Sequence, residues 1–151
     1  MEYDPLVESD ALLESQLLDV RVHVLTGSAA ALFEMRTSLQ FDRGNAGVLV
    51  LRGASSASWN LGGVRPGVIA YTVMQSRPFV EDGLFHFEVR LHPKSRVLLS
   101  GAAAEFYLVD VDGIGETPPD YAQDVSVIGR GVPSWKSSYD FIEGSTRAGR
   151  Q

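Results

Sequence analysis

Two stretches of this chain place chemistry-bearing side chains at regular spacing. In the first, His86, Glu88, Arg90 and His92 alternate with Phe85, Phe87, Val89 and Leu91. A period of two puts the four polar groups on one face of a strand. Glu88 beside His86 or Arg90 has the makings of an acid–base pair. The two histidines are too far apart to share a metal, because six residues of strand span about 20 Å and zinc ligands sit about 2 Å from the ion. A solvent-facing polar row is the simpler expectation, and His23 stands on another polar strand face.

In the second stretch, Asp110, Asp112 and Glu116 surround Gly113 and Gly115. The carboxylates suggest part of a calcium loop, but the longer ligand series of an EF-hand, with its bidentate Glu at the twelfth position, is missing. Gly113 and Gly115 are only a fragment of a dinucleotide fingerprint, and Pro118 and Pro119 stand where its helix should start. The chain has no phosphate-loop, H-E-x-x-H or G-x-S-x-G pattern. It has no cysteine, which removes disulfides, thiolate metal sites and a cysteine nucleophile together. No metal or cofactor is expected, and the missing signatures argue against an enzyme without deciding the matter.

Charge is more informative. Residues 1–20 carry Glu2, Asp4, Glu8, Asp10, Glu14 and Asp19 with no Lys or Arg, and residues 97–129 carry Glu105, Asp110, Asp112, Glu116, Asp120 and Asp124, again with none. The intervening residues 21–96 hold nine basic and five acidic side chains. If the two acidic stretches meet, they form one face that repels nucleic acid and speeds association with a basic protein. Tyr121 follows Pro118-Pro119-Asp120 and suits an aromatic anchor within that face. The candidate partner-binding residues are therefore Asp110, Asp112, Glu116, Asp120 and Tyr121. Solvation of two surface segments is the competing explanation.

The elements that must position these residues read as mainly β. Asp4-Pro5 and the leucines at 13 and 17 suggest a short N-terminal helix, which leaves α+β open. Val20, Val22 and Val24 begin a strand, and Ala30 to Thr37 reads as the next, with Phe33 and Met35 on one face and Glu34 and Arg36 on the other. Val48 to Leu51 is apolar on both faces and belongs in a central strand. Asn60 to Gly67 is the clearest internal loop. Pro78 marks an edge or bulge, and Asp82-Gly83 a tight hairpin. Val97 to Leu99 and Glu105 to Val111 read as further strands, and Val125 to Ile128 as a last short one. The whole predicts a curled antiparallel sheet, sandwich or partly open barrel. Residues 1–128 make a single domain and 129–151 a partly docked or flexible tail. The 151 residues suffice for one core. With no signal-peptide pattern and no apolar run of about 20 residues, a cytoplasmic protein without membrane contact is expected.

The segment Leu18 to Trp59, together with Ala104-Glu105-Phe106-Tyr107 through Asp110-Val111-Asp112-Gly113, resembles small β-rich proteins of actinobacteria. In general shape the chain is similar to immunity-protein families of bacterial polymorphic-toxin systems, which are short, acidic, cytoplasmic and sheet-based. The resemblance implies a non-catalytic binding protein that neutralises a basic toxin. Three other functions fit the residues: a small-molecule-binding barrel or sandwich with Trp59, Tyr71 or Tyr107 at its cavity, a subunit of a larger assembly, and a metal-dependent hydrolase using His86, Glu88 and the Asp110 turn.

Overall fold

The computed structural model describes residues 1–60, 70–121 and 131–150. Most of the 60–67 loop and the whole of the 125–128 strand expected from sequence lie outside them. The described residues form seven strands: β1 (Gln16–His23), β2 (Ser28–Glu34), β3 (Ala46–Asn60), β4 (Tyr71–Glu81), β5 (Leu84–His92), β6 (Ser95–Val111) and β7 (Tyr139–Ala148). They make one antiparallel sheet in the order β3-β2-β1-β4-β5-β6-β7, and a further pairing of β3 with β6 closes a ring of six strands. Full closure leaves few edges. No helix is present among the described residues, and therefore none long and apolar enough to cross a membrane.

The ring is narrowest between β1 and β4, which share only the pairs Gln16↔Thr72 and Leu17↔Tyr71. Beyond them the N-terminal segment takes over the edge of β4. The amide of Asp10 donates to the Ser76 carbonyl (2.7 Å) and that of Glu14 to the Val73 carbonyl (3.0 Å). This corrects the expected helix. Residues 5–14 form successive turns, in which the amides of Val7 and Glu8 reach the Asp4 carbonyl and that of Leu13 the Asp10 carbonyl while those of Asp10 and Glu14 go to β4, and Asp10 (φ 63°) and Glu14 (φ 67°) take left-handed backbone that a helix cannot contain. The apolar residues serve another purpose, since Leu6 and Leu12 are fully buried against the barrel core. Pro78 falls where β4 has only β5 for a sheet partner, as a residue without an amide hydrogen requires.

Alternation fills the interior. Phe33, Leu49, Leu51, Phe85, Phe87, Leu99 and Phe106 point inward and are at most 1% exposed. Each such side chain contributes about 1.5–3 kcal/mol on leaving water. Asp82 (φ 54°) and Gly83 (φ 74°) form the expected two-residue hairpin. The two strands expected at 97–99 and 105–111 are one strand of 17 residues. Its first half pairs with β5 and its second half with β7, while β3 runs along the other side. The exchange occurs at Gly101. A Cβ there would lie 2.9 Å from the Arg52 carbonyl oxygen, so only glycine lets β3 bulge against β6. The small residues 53–58 belong to the same device and extend β3 to Asn60 without a break. Residues 139–148, part of the tail expected from sequence, pair along β6 as β7.

Candidate functional site

The segment after β6 crosses the outside of the barrel and is held by one buried ion pair. Glu34 and Arg36 lie on the outer side of β2 and its extension, as alternation with Phe33 and Met35 requires. Both are covered: the Glu34 side chain is 0% and the Arg36 side chain 4% exposed. Arg36 grips the carboxylate with two bonds, Nε to Oε1 (2.5 Å) and Nη2 to Oε2 (2.9 Å). Its remaining donors reach the carbonyls of Ile114 (2.9 Å), Thr117 (3.2 Å) and Gly131 (2.6 Å), with a longer bond to Gly115 (3.4 Å). All five guanidinium hydrogens are thus placed. The Tyr121 hydroxyl donates to Glu34 Oε2 (3.0 Å).

Of the residues singled out from sequence, Tyr121 therefore anchors the loop from within. Asp110, Asp112 and Glu116 are exposed and carry no ion pair among the described residues. Asp120 is exposed and engaged. The two acidic stretches adjoin at the segment following β2, where Thr37 bonds the Glu14 carbonyl and Arg36 bonds the loop. Three N-terminal carboxylates, however, act as internal acceptors. Asp4 takes bonds from Ser145 and the Leu6 amide, Asp10 from the Ser76 amide, and Asp19 from Arg21 and Trp135. The carboxylate the sequence reading left out is Asp140 of β7. It pairs directly across from Asp110, and both are exposed.

Alternation turns Asp110 and Asp140 to one face of the β6–β7 ribbon and their neighbours Val109, Val111, Tyr139 and Phe141 to the other, where an apolar groove of about 400 Å³ opens on the outer barrel face. Val48 and Val50 of β3 and Val109 of β6 line it together with Tyr107, Trp135, Tyr139 and Phe141. Its valines explain why β3 is apolar on both faces. Trp135 is fixed by its Nε1 bond to Asp19 (2.6 Å) and by the Arg21 guanidinium 5.2 Å from its ring. Tyr107 meets Phe141 edge to face at 6.2 Å, and its hydroxyl is tied to Glu105, itself paired with Arg52 (2.5 Å). Tyr139 (61%) and Phe141 (60%) remain largely open to solvent. They are the exposed aromatics of this face. A signal for them existed in the Tyr139-Asp140-Phe141 alternation within the glycine- and serine-rich tail.

The other candidate chemistry is structurally engaged. Glu88 is only 5% exposed. Burial alone would raise its carboxyl, but the bond from Arg96 and the charges of Arg77 and Arg90 outweigh that and hold it below the usual carboxylate range. A carboxylate so held is a weak base. This corrects the solvent-facing row at that position. Arginines on neighbouring strands cover the carboxylate, a contact that spacing along one strand cannot show. His86 bonds Ser100 (2.7 Å) and stacks on Phe79, whereas His23 bonds Thr26, so the two histidines do not meet. Trp59 and Tyr71 pack on each other at 5.8 Å. Among the described residues no group of three or more His, Asp or Glu could hold a metal ion.

These surroundings fix how stability responds to pH. Burial first, then the negative charge of Glu34, pushes the Tyr121 hydroxyl well above its ordinary value. Its bond to Glu105 does the same for Tyr107. Unfolded tyrosines ionise near pH ~10. The stability from these two is intact below that pH and is lost as pH rises through their higher native values. Conversely, Glu105 is lowered by its bonds from Tyr107 and Arg52, and Glu143 by its bond from Arg43. Their contribution, with that of Glu88, is present above about pH 4.5 and is lost as pH falls through their native values. Denaturant unfolding across pH is expected to give a plateau that declines at both ends, and Tyr121→Phe is expected to flatten the alkaline decline.

Comparison of the chain with known family models, with curated proteins and with solved structures finds no match.

Proposed function

We propose that this chain is a non-catalytic protein-binding domain whose site is the end of the β6–β7 ribbon, with an acidic pair on one face and the apolar groove on the other, and that its partner is a basic protein. One observation carries the reading. Asp110 and Asp140 lie directly opposite each other on β6 and β7, both exposed and neither paired with a cation among the described residues. Like charges directly opposite on a sheet destabilise it, and a cation from outside relieves the repulsion. On the opposite face of the same ribbon Tyr139 and Phe141 offer the aromatic surface on which binding energy concentrates, and the exposed Asp112 and Glu116 continue the negative charge beyond the end of β6. Neutralisation of a toxin by an immunity protein is the biological setting that suits such a site: a small acidic domain, an apolar groove and a cationic partner.

The proposal separates stability from function. Asp140→Lys places a cation opposite Asp110 and is expected to stabilise the fold by about 0.2–1 kcal/mol, read as a higher midpoint in urea. The same variant is expected to lose the basic partner that the wild-type chain retains from a native lysate at low salt. A variant that is more stable and still retains that partner would remove the carboxylate pair from the interface.

A further inference from the structure

Among the described residues β7 pairs with β6 alone, and its other long side has no strand beside it. The ladder decides which main-chain groups point that way. The amide of Asp112 donates to the Ser138 carbonyl (2.9 Å), and from there bonded and unbonded pairs alternate. Asp110 and Asp140 therefore bond each other through the main chain, while the amide and carbonyl of Tyr139 and of Phe141 turn to the open side. Ile142 is the extra residue where the register shifts. Beyond it the bond from the Gly149 amide to the Ala102 carbonyl (2.8 Å) sets the same alternation and turns Gly144 and Thr146 to the open side. None of these amides and carbonyls has a hydrogen-bond partner among the described residues, and all four residues are exposed. The N-terminal segment reaches β7 through side chains, Ser145 bonding Asp4 and Arg147 bonding the Leu6 carbonyl.

An open row of donors and acceptors is a template for one more strand. The side chains on either face say which strand. A residue laid opposite Asp140 shares its face with Asp110, where two carboxylates lie together without a cation among the described residues. A basic side chain answers them. Residues laid opposite Tyr139 and Phe141 fall on the other face, where an apolar side chain continues the groove. The period of two in a strand thus asks for basic and apolar residues in alternation. The same charge disfavours a second copy of the chain, because β7 against β7 brings Asp140 and Glu143 of the two copies together.

We propose, resting on the basic-partner reading above, that β7 is a docking edge to which an extended segment of the partner adds as a strand. Its main chain bonds Tyr139 and Phe141, its basic side chains lie over Asp110 and Asp140, and its apolar ones enter the groove. One partner then engages both faces of the ribbon at once. The main-chain bonds supply affinity and the alternate side chains specificity.

The test uses the full chain and an end-blocked peptide, Lys-Val-Lys-Val-Lys, with binding read by amide resonances and hydrogen exchange. Alone, the amides of Tyr139 and Phe141 are expected to exchange fast; the peptide is expected to shift them saturably and slow their exchange. Two further peptides, N-methylated at the valines or at the lysines, keep every charge and side chain. The valine amides face β7 in an antiparallel addition and the lysine amides in a parallel one. One methylated peptide is therefore expected to bind at least about tenfold more weakly, and the other like the parent. Equal binding by all three, equal weakening in both methylated peptides, or no saturable shift with the parent would overturn strand addition. So would slow exchange at Tyr139 and Phe141 before peptide is added, whether constant or rising with protein concentration, because the chain itself or a second copy would then fill the edge. Glu-Val-Glu-Val-Glu separates the two claims. It is expected not to bind, and binding equal to that of the lysine peptide would sink the basic partner while leaving the methylation result to decide strand addition.

Discussion

Replacing Arg36 with alanine is expected to lower the unfolding free energy by about 3–5 kcal/mol, the range for breaking one side of a buried ion pair. Domains of this size are stable by only about 5–15 kcal/mol, so much of the margin disappears. The reason is local and specific. Glu34 is fully buried, and Arg36 supplies two of its hydrogen bonds. Without the guanidinium the carboxylate remains charged in an apolar site, with only Tyr121 and backbone donors nearby. The carbonyls of Ile114, Thr117 and Gly131 lose their donor as well. Proteolysis within residues 112–121 is expected at denaturant concentrations where the barrel still holds, because the loop is released before the sheet. Arg36→Lys is expected to recover only part of the loss, as one ammonium cannot reproduce a planar five-donor fork. Equilibrium unfolding in urea with unchanged slope measures the loss in both variants.

The second large effect lies inside the ring. Phe106→Ala is expected to cost about 3–5 kcal/mol through lost transfer energy and the cavity left behind. Phe106 is fully buried, with the Phe41 ring centroid 6.3 Å away. The strand opposite is shaped for it, because a Cβ on Gly47 would lie 2.8 Å from Phe106 Cζ. The void cannot close by a small side-chain shift when the neighbouring position has no side chain. Phe141→Ala removes a ring of the same size from the outer groove, where it is 60% exposed. It is expected to change stability by about 0.5 kcal/mol or less. The two variants together distinguish a filled interior that holds the fold from an outer aromatic surface that does not.

Much of this architecture is legible in the residues. Val48 to Leu51 is apolar at every position because β3 has the core on one side and the groove on the other, and the sequence pattern shows it. The 85–91 alternation and the Asp82-Gly83 turn are legible for the same reason: their causes lie within a few residues. What escapes is set by partners far along the chain. The spacing of Leu13 and Leu17 suits a helix, yet the backbone there is governed by Ser76 and Val73, more than fifty residues away. Glu34 and Arg36 read as an outer strand face, and only the loop laid across them buries them. Tyr121 reads as an exposed anchor for want of any sign that its partner is Glu34. Asp140 escaped because its significance lies in the β6–β7 register, which places it opposite Asp110. Residues 139–148 carry so little buried apolar surface that their pairing along β6 leaves only a weak mark on the pattern.

The acidic surface at the end of β6 and β7 is tested most directly by how fast its partner associates as charge and salt are varied. Asp112→Lys/Glu116→Lys alters two exposed positions outside the Glu34–Arg36 anchor, so the fold is expected to stay intact. With the partner retained from native lysate, association of the wild-type chain is expected to slow steeply as salt shortens the Debye length from about 10 Å to about 3 Å. The double variant is expected to associate slowly at every salt concentration, with a much shallower dependence. Equal association rates for the two proteins at low salt would contradict a cationic partner docking on this face.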